Sequence, residues 1–400
     1  MESGYPLLIT LGCLLILSPL IKSFLVHLGI PALVGYICLG FLIRLLDNQW
    51  SFISIAFDNT FFALAQLGVV ALLFRVGLKS YTRALLKKLP DASPIWLGDV
   101  MTNLALGFVT SHYALSLSLE TSLIIATAFS ATSVAVSVTV WDETHKLNTP
   151  KGQLLVDVAE LDDLSGVLLL AILLTIIPVL RGGDGNGEVL TLIGITILIV
   201  LLKLTLFITG CYLFAHYLEA DFTRFSRDIE NSTASMALTI LGAGIVIAAV
   251  AGYLGFSLAI GALFAGLAFS RDPEAMRTKA KFTNFYELFA PFFFIYIGMQ
   301  IDPTAVTGSF GMGISLFVVA VVGKVIGVAA PALRSLTKAD ALLLGISMIP
   351  RAEISLIIMH QCRQLGDDLI SEEVFASMVL LSVATSIMVP IMLRPLMSTK

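Results

Sequence analysis

Apolar runs of roughly 18 to 25 residues, broken by short polar stretches, recur along the whole of this 400-residue chain. A run of that length suits a helix crossing a hydrocarbon core about 30 Å thick. The runs centre on residues 5–22, 29–46, 60–77, 93–113, 121–140, 153–180, 188–217, 232–252, 254–270, 283–300, 309–333, 341–362 and 373–397. They predict an all-α polytopic membrane protein of about 13 transmembrane helices. The division at 252–254 leaves hardly a loop, because AGYLGFSLAIG joins two apolar runs. Polar stretches stay short, as in RGGDGNGE at 181–188 and GDDLISEE at 366–373, and no linker to a soluble domain appears. The first run, Tyr5 to Ile21, has no basic stretch before it and no small-residue cleavage motif after it. It reads as a first span rather than a signal peptide.

Charge placement orients these spans. With the N-terminus outside, the cytoplasmic loops hold Lys22, then Lys79, Arg83, Lys87 and Lys88, then Lys146 and Lys151. Arg224 and Arg227 follow, then Arg271, Arg277, Lys279 and Lys281, then Arg334 and Lys338, and last Arg394 and Lys400. The outer loops keep only Arg44, Arg181 and Arg363. The positive-inside bias therefore predicts an N-out, C-in topology.

Composition agrees and excludes several classes. Hydrophobic residues make up 57% of the chain and charged ones 13%, against about 25% charged in soluble domains. Cys13, Cys38, Cys211 and Cys362 lie scattered in apolar runs without metal or disulfide spacing. The net charge of −4, with no basic patch carrying aromatics, gives no sign of nucleic-acid binding. His27, His112, His145, His216 and His360 form no HExxH motif, and no phosphate-binding loop is present. No enzyme and no cofactor is indicated.

Charges left inside the spans carry the functional reading. Arg75, Lys203, Lys324 and Arg351 face Asp99, Asp162, Asp163 and Glu353 in the sign ledger, and charges at membrane depth pair or line water-filled cavities. Arg75 and Lys203 suit snorkelling. Lys324, in FVVAVVGKVIGVAAPAL, is too far from either end and needs a carboxylate, Asp162 or Asp163. Those two acids stand about 100° apart on a helix, so one can hold a cation partner while the other faces a cavity. Asp157, Glu160 and Asp163 follow at three-residue spacing and suggest a cation-concentrating funnel. Asp157 and Glu160 equally suit a solvated helix start.

Two spans look interrupted. AFSATSVAVSVTV at 128–140 gathers Ser130, Thr132, Ser133 and Ser137, although ordinary small-residue packing explains Thr132 and Ser133 as well. GISMIPRAEISLII at 345–358 sets Pro350 mid-span before Arg351 and Glu353. Broken helices at corresponding positions of two halves mark a transporter's ion site.

These stretches, with LGIPALVGYICLGFLI, LAQLGVVALLFRVGLKS, LNTPKGQLLVDVAELDD, GYLGFSLAIGALFAGLAFS, FFFIYIGMQIDP and VGKVIG in order, resemble the monovalent cation:proton antiporter superfamily. The resemblance is to its Kef-type and NapA-like bacterial Na+/H+ exchangers. It implies a homodimer in the cell inner membrane, built on inverted repeats with two broken crossing helices. It assigns 1–80 and 231–303 to dimerisation helices, 90–180 and 308–400 to core helices, and 188–218 to a linker. It implies that Asp163 carries the cation and the proton, that Asp162 pairs with Lys324, and that Asp163, Asp162 and Thr132 hold the Na+. Ser133 belongs to the first crossing, and Arg351 and Glu353 form a supporting ion pair at the second. Two aspartates favour sodium over Kef-type potassium exchange, and the lysine favours electrogenic exchange; a cation channel, which would share the intramembrane charges but pass current far faster, is a less favoured alternative. Lys79, where the family commonly has an acid, and Ala352, where glycine is usual, depart from the pattern.

Overall fold

Hydropathy alone places most of the helices, and capping side chains fix several of their starts. In the computed structural model, described for residues 5–51, 53–79, 82–133, 135–182, 188–219, 221–222, 224, 233–254, 256–270, 279–366 and 368–398, no strand occurs among the described residues. The helices are α1 (Tyr5–His27), α2 (Ala32–Trp50), α3 (Ile55–Lys79), α4 (Thr82–Val109), α5 (Leu119–Ser130), α6 (Ala135–Glu143) and α7 (Pro150–Gly182). They continue as α8 (Glu188–Leu213), α9 (Thr233–Tyr253), α10 (Leu258–Phe269), α11 (Lys279–Met299) and α12 (Pro303–Ala332). The chain ends in α13 (Lys338–Ser347), α14 (Glu353–Arg363) and α15 (Glu372–Ser398). Among the described residues six helices, α1, α2, α3, α7, α12 and α15, are long and apolar enough to cross a membrane unaided.

Boundaries follow local chemistry. Ser118, Ser257 and Thr337 accept the first free N–H groups of α5, α10 and α13. Asp302 does the same for α12, and the Thr304 N–H it accepts holds its carboxyl below the usual carboxylate range. The near-loopless junction at 252–254 does separate two helices, α9 and α10. One start differs from expectation. α4 begins at Thr82, well ahead of the apolar run at 93, and takes Pro90 and Pro94 into its length.

Two packing groups emerge. In one, α3 lies against α10 and α11, α2 against α11, and α9 against α10. Gly40 and Gly298 bring α2 and α11 into backbone contact, where a Cβ on either would strike the opposite main chain. Without hydrophobic drive between lipid-bathed helices, such close approach supplies the packing energy. In the other group, α12 packs on α4 and α15, α5 on α4 and α7, and α14 on α5. α8 touches both groups, through α7 and α10. Leu198, Leu202 and Leu206 on α8 and Leu8, Ile9, Ile16 and Phe24 on α1 are exposed. Those stripes have the chemistry of lipid-facing surface.

Candidate functional site

The fifth and twelfth apolar runs each break into two half-helices, and the breaks cross. α5 ends at Ser130 and α6 resumes at Ala135; α13 ends at Ser347 and α14 resumes at Glu353. At the crossing the Ser133 N–H donates to the Pro350 carbonyl at 2.7 Å. Broken backbone is tolerated at membrane depth only where its polar groups find partners. Here they do. The Ser137 hydroxyl donates to the Ser347 carbonyl at 2.6 Å, and the Ser355 hydroxyl to the Ala128 carbonyl at 2.8 Å. Trp141 adds its indole N–H to the Ser347 hydroxyl at 2.9 Å.

The carbonyl end of α5 carries a partial negative charge, and two fully buried cations meet it. Lys324 Nζ donates to the Ser130 carbonyl at 2.8 Å. Arg351 donates to the carbonyls of Phe129 and Ala131 and reaches Ala128 at 3.5 Å. Its guanidinium also stands 4.6 Å from the Phe129 ring centre. Arg351→Ala should therefore lower thermal stability by about 3–5 kcal/mol, since acceptors and charges are left buried without their partner. A melting curve in detergent reads this, with Arg351→Lys recovering part of the loss; an unshifted curve would refute the clamp.

A continuous polar chain runs outward from these cations. Lys324 Nζ donates to Asp99 Oδ2 at 2.6 Å and to Asp162 Oδ2 at 2.9 Å. Asn103 donates to Asp99 Oδ1 at 2.6 Å and accepts from Arg351 at 2.7 Å. Thr132 donates its hydroxyl to Asp162 Oδ2. The second carboxylate oxygen of Asp162, Oδ1, is buried without a hydrogen-bond partner among the described residues.

Asp163 faces elsewhere. It lines a cavity of about 350 Å³ with Thr132, Ser133, Glu160, Glu353, Arg75 and Tyr286. The cavity lies on the side of the crossing nearer the start of α7 and the end of α3. On the opposite side, Phe62, Phe293 and Tyr296 surround the buried His360 ring with centroids 5.5 to 6.3 Å away. These rings join α14 to α3 and α11 and fill that seam.

Several expectations need correction. Arg351 and Glu353 do not pair: the guanidinium takes the α5 carbonyls and Asn103, while Glu353 accepts from the Ser133 hydroxyl. Asp157 does not join the acidic wall. Six residues carry it about 120° round the helix from Asp163, and only Glu160 of the pair reaches the cavity. Arg75 does not snorkel either; its guanidinium lies 4.0 Å from the Tyr286 ring centre, inside the cavity wall. Lys203 is exposed and donates to the Leu254 carbonyl at 3.3 Å. Of the loop cations, Arg227, Arg271, Arg277 and Lys400 lie outside the described residues, as do residues 183–187 of the RGGDGNGE loop.

The sequence marks Asp99 only as an acid inside a span and does not mark Asn103. Their four-residue spacing inside an apolar span puts both on one helix face, and that signal was present. Tyr286 left no such trace.

Comparison with known proteins then bears on this geometry. The family model described as "Sodium/hydrogen exchanger, transmembrane" matches residues 12–399. The Na(+)/H(+) antiporter of Enterococcus hirae is 25% identical over 391 residues, 96% of each chain. The high-affinity Na(+)/H(+) antiporter NhaS3 of Synechocystis is 25% identical over 301 residues, 74% of this chain and 62% of that protein's length. GerN of Bacillus cereus, a Na(+)/H(+)-K(+) antiporter, is 24% identical over 96% of this chain and 94% of its own. Among solved structures, the sodium proton antiporter MjNhaP1 of Methanocaldococcus jannaschii superposes with a TM-score of 0.75 at 15% identity, over 98% of each chain.

Proposed function

This chain belongs to the sodium/hydrogen exchanger family, and from that premise we propose that it exchanges a monovalent cation, Na+ or Li+, for H+ across a cell inner membrane by alternating access. One observation carries the reading: two adjacent aspartates at the crossing have opposite commitments. Asp163 faces the cavity, and Asp162 is held through one oxygen while the other is buried and unpartnered. Hard cations take oxygen ligands. In this reading Asp163, the partnerless Asp162 oxygen and the Thr132 hydroxyl receive the cation, and Asp163 receives the proton in its place. Ser133 keeps Glu353 oriented toward the same cavity.

Charge balance bears on stoichiometry. Asp99, Asp162, Lys324 and Arg351 are all buried, and their formal charges cancel. Asp163 is then neutralised either by one proton or by one monovalent cation, so both loaded states carry the same charge through the apolar barrier. Electrogenic exchange would need Lys324 to release a proton as Asp162 turns to the cation. Asp99, at 2.6 Å, leaves that ammonium inside a neutral pair instead. We therefore read exchange as one cation per proton.

In this reading α4 to α7 and α12 to α15 move as the ion-carrying core against α1 to α3 and α9 to α11, with α8 as linker and a second copy on the outer face of the static helices. We take the chain to have thirteen spans with its N-terminus out, which would turn the open cavity toward the cytoplasm and leave the His360 ring cluster closing the outer side. A potassium exchanger is the second reading, favoured by the similarity to GerN.

Proteoliposomes test both. Proton movement should follow Li+ and Na+ additions, with K+ and Rb+ ineffective and no net charge moved per turnover. Because proton and cation compete, half-saturating Na+ should rise as pH falls, by at most about tenfold per pH unit for one shared proton. Equal response to K+ selects the second reading; no cation-dependent proton movement refutes both.

A further inference from the structure

Arg75 belongs to the wall of the ion cavity but to neither the crossing nor its hydrogen-bonded network. It sits on α3 with Leu72 and Val76, which share its helix face and line the same cavity. Its guanidinium is held over Tyr286 of α11 at 4.0 Å. The carboxylates opposite, Glu160, Asp163 and Glu353, belong to α7 and α14. Three carboxylates on one cavity wall attract a cation in proportion to its charge, so without a fixed positive charge they would draw in a dication more strongly than Na+.

We propose that Arg75 is a specificity-determining residue: a fixed cation that competes with the incoming ion for the field of the cavity carboxylates and so excludes divalent cations. The inference rests on reading this cavity as the ion's route to Asp163. Its physical content is a relation between two effects. A fixed positive charge raises the free energy of a visiting ion in proportion to that ion's charge. Whatever factor it costs a monovalent ion, it costs a divalent ion that factor squared. The aromatic ring holds the guanidinium in place, where a freely moving side chain would swing toward water.

Neutralising the charge exposes this relation. In Arg75→Gln, half-saturating Na+ measured from the cavity side should fall on the order of fivefold. Mn2+ affinity of the purified full-length protein, read by electron paramagnetic resonance of the free ion, should rise by about the square of whatever Na+ factor is found. Added Mg2+ should then inhibit exchange by the variant at concentrations the parent ignores. Arg75→Lys should keep parental values for all three readouts. A packing defect would disturb both substitutions and would not produce the squared ratio. Unchanged Mn2+ binding in Arg75→Gln overturns the proposal, as does Mg2+ inhibition of the parent. Because Mn2+ binding needs no turnover, absence of exchange in the parent would refute the transport reading and leave this test standing.

Discussion

Asp163→Asn reduces cation-dependent proton movement to the protein-free background while the protein still folds. The amide preserves shape and hydrogen-bonding capacity but can neither give up a proton nor offer a charged oxygen to Na+. Asp163 lines the cavity and takes no part in the hydrogen bonds that hold Lys324. Its removal should therefore leave the melting temperature near that of the parent. Reconstituted vesicles challenged with Na+ or Li+ read the activity, and a detergent melt reads the fold. Full exchange by this variant would remove Asp163 from the site, and loss of both activity and fold would make it a structural residue.

Lys324→Met produces the opposite pattern, a large loss of stability. The lysine is completely buried and bonds two completely buried carboxylates, Asp99 and Asp162. Removing one partner from a buried ionic group commonly costs about 3–5 kcal/mol, because uncompensated charge is left behind. The loss should be substantially recovered in the double variant Lys324→Met with Asp99→Asn, which removes one stranded charge along with its partner. A single variant that melts with the parent would show that the triad contributes nothing to stability. A double variant no better than the single would assign the damage to lost packing instead.

Most of the helical frame was legible in the sequence because hydropathy over a span-length window reports a requirement of the bilayer itself. The break at Pro350 was legible for a similar reason, since proline removes a backbone donor. The partner break, Ala131 to Ser133, has neither glycine nor proline, and its hydroxyl residues suit small-residue packing equally well. The division of Asp162 and Asp163 between two neighbours followed from helix geometry alone. The pairing assigned to Arg351 and Glu353 rests on family resemblance; Arg351 lies in the break ahead of α14, where no helical period tells which way a side chain points. Snorkelling of Arg75 follows from its distance to the span end alone, whereas its helix face, shared with Leu72 and Val76, turns it into the cavity wall. The link from Asp99 to Lys324 joins residues 225 apart, and no local pattern encodes a contact of that range.

The crossing also constrains how the protein can be made. Arg351 caps the end of α5 from 222 residues further along the chain, and Ser133 bonds Pro350 across a similar interval. While the ribosome is still translating the middle of the chain, the first broken helix is already in the bilayer with its carbonyls uncapped and Asp99 and Asp162 without their lysine. Such a segment is costly in lipid. The first half must wait, sheltered by neighbouring helices or by the insertion machinery, until α12 and α14 arrive. Folding of the ion site is thus a late event in biogenesis, and a chain stalled after α11 should be recognised and degraded as unfinished.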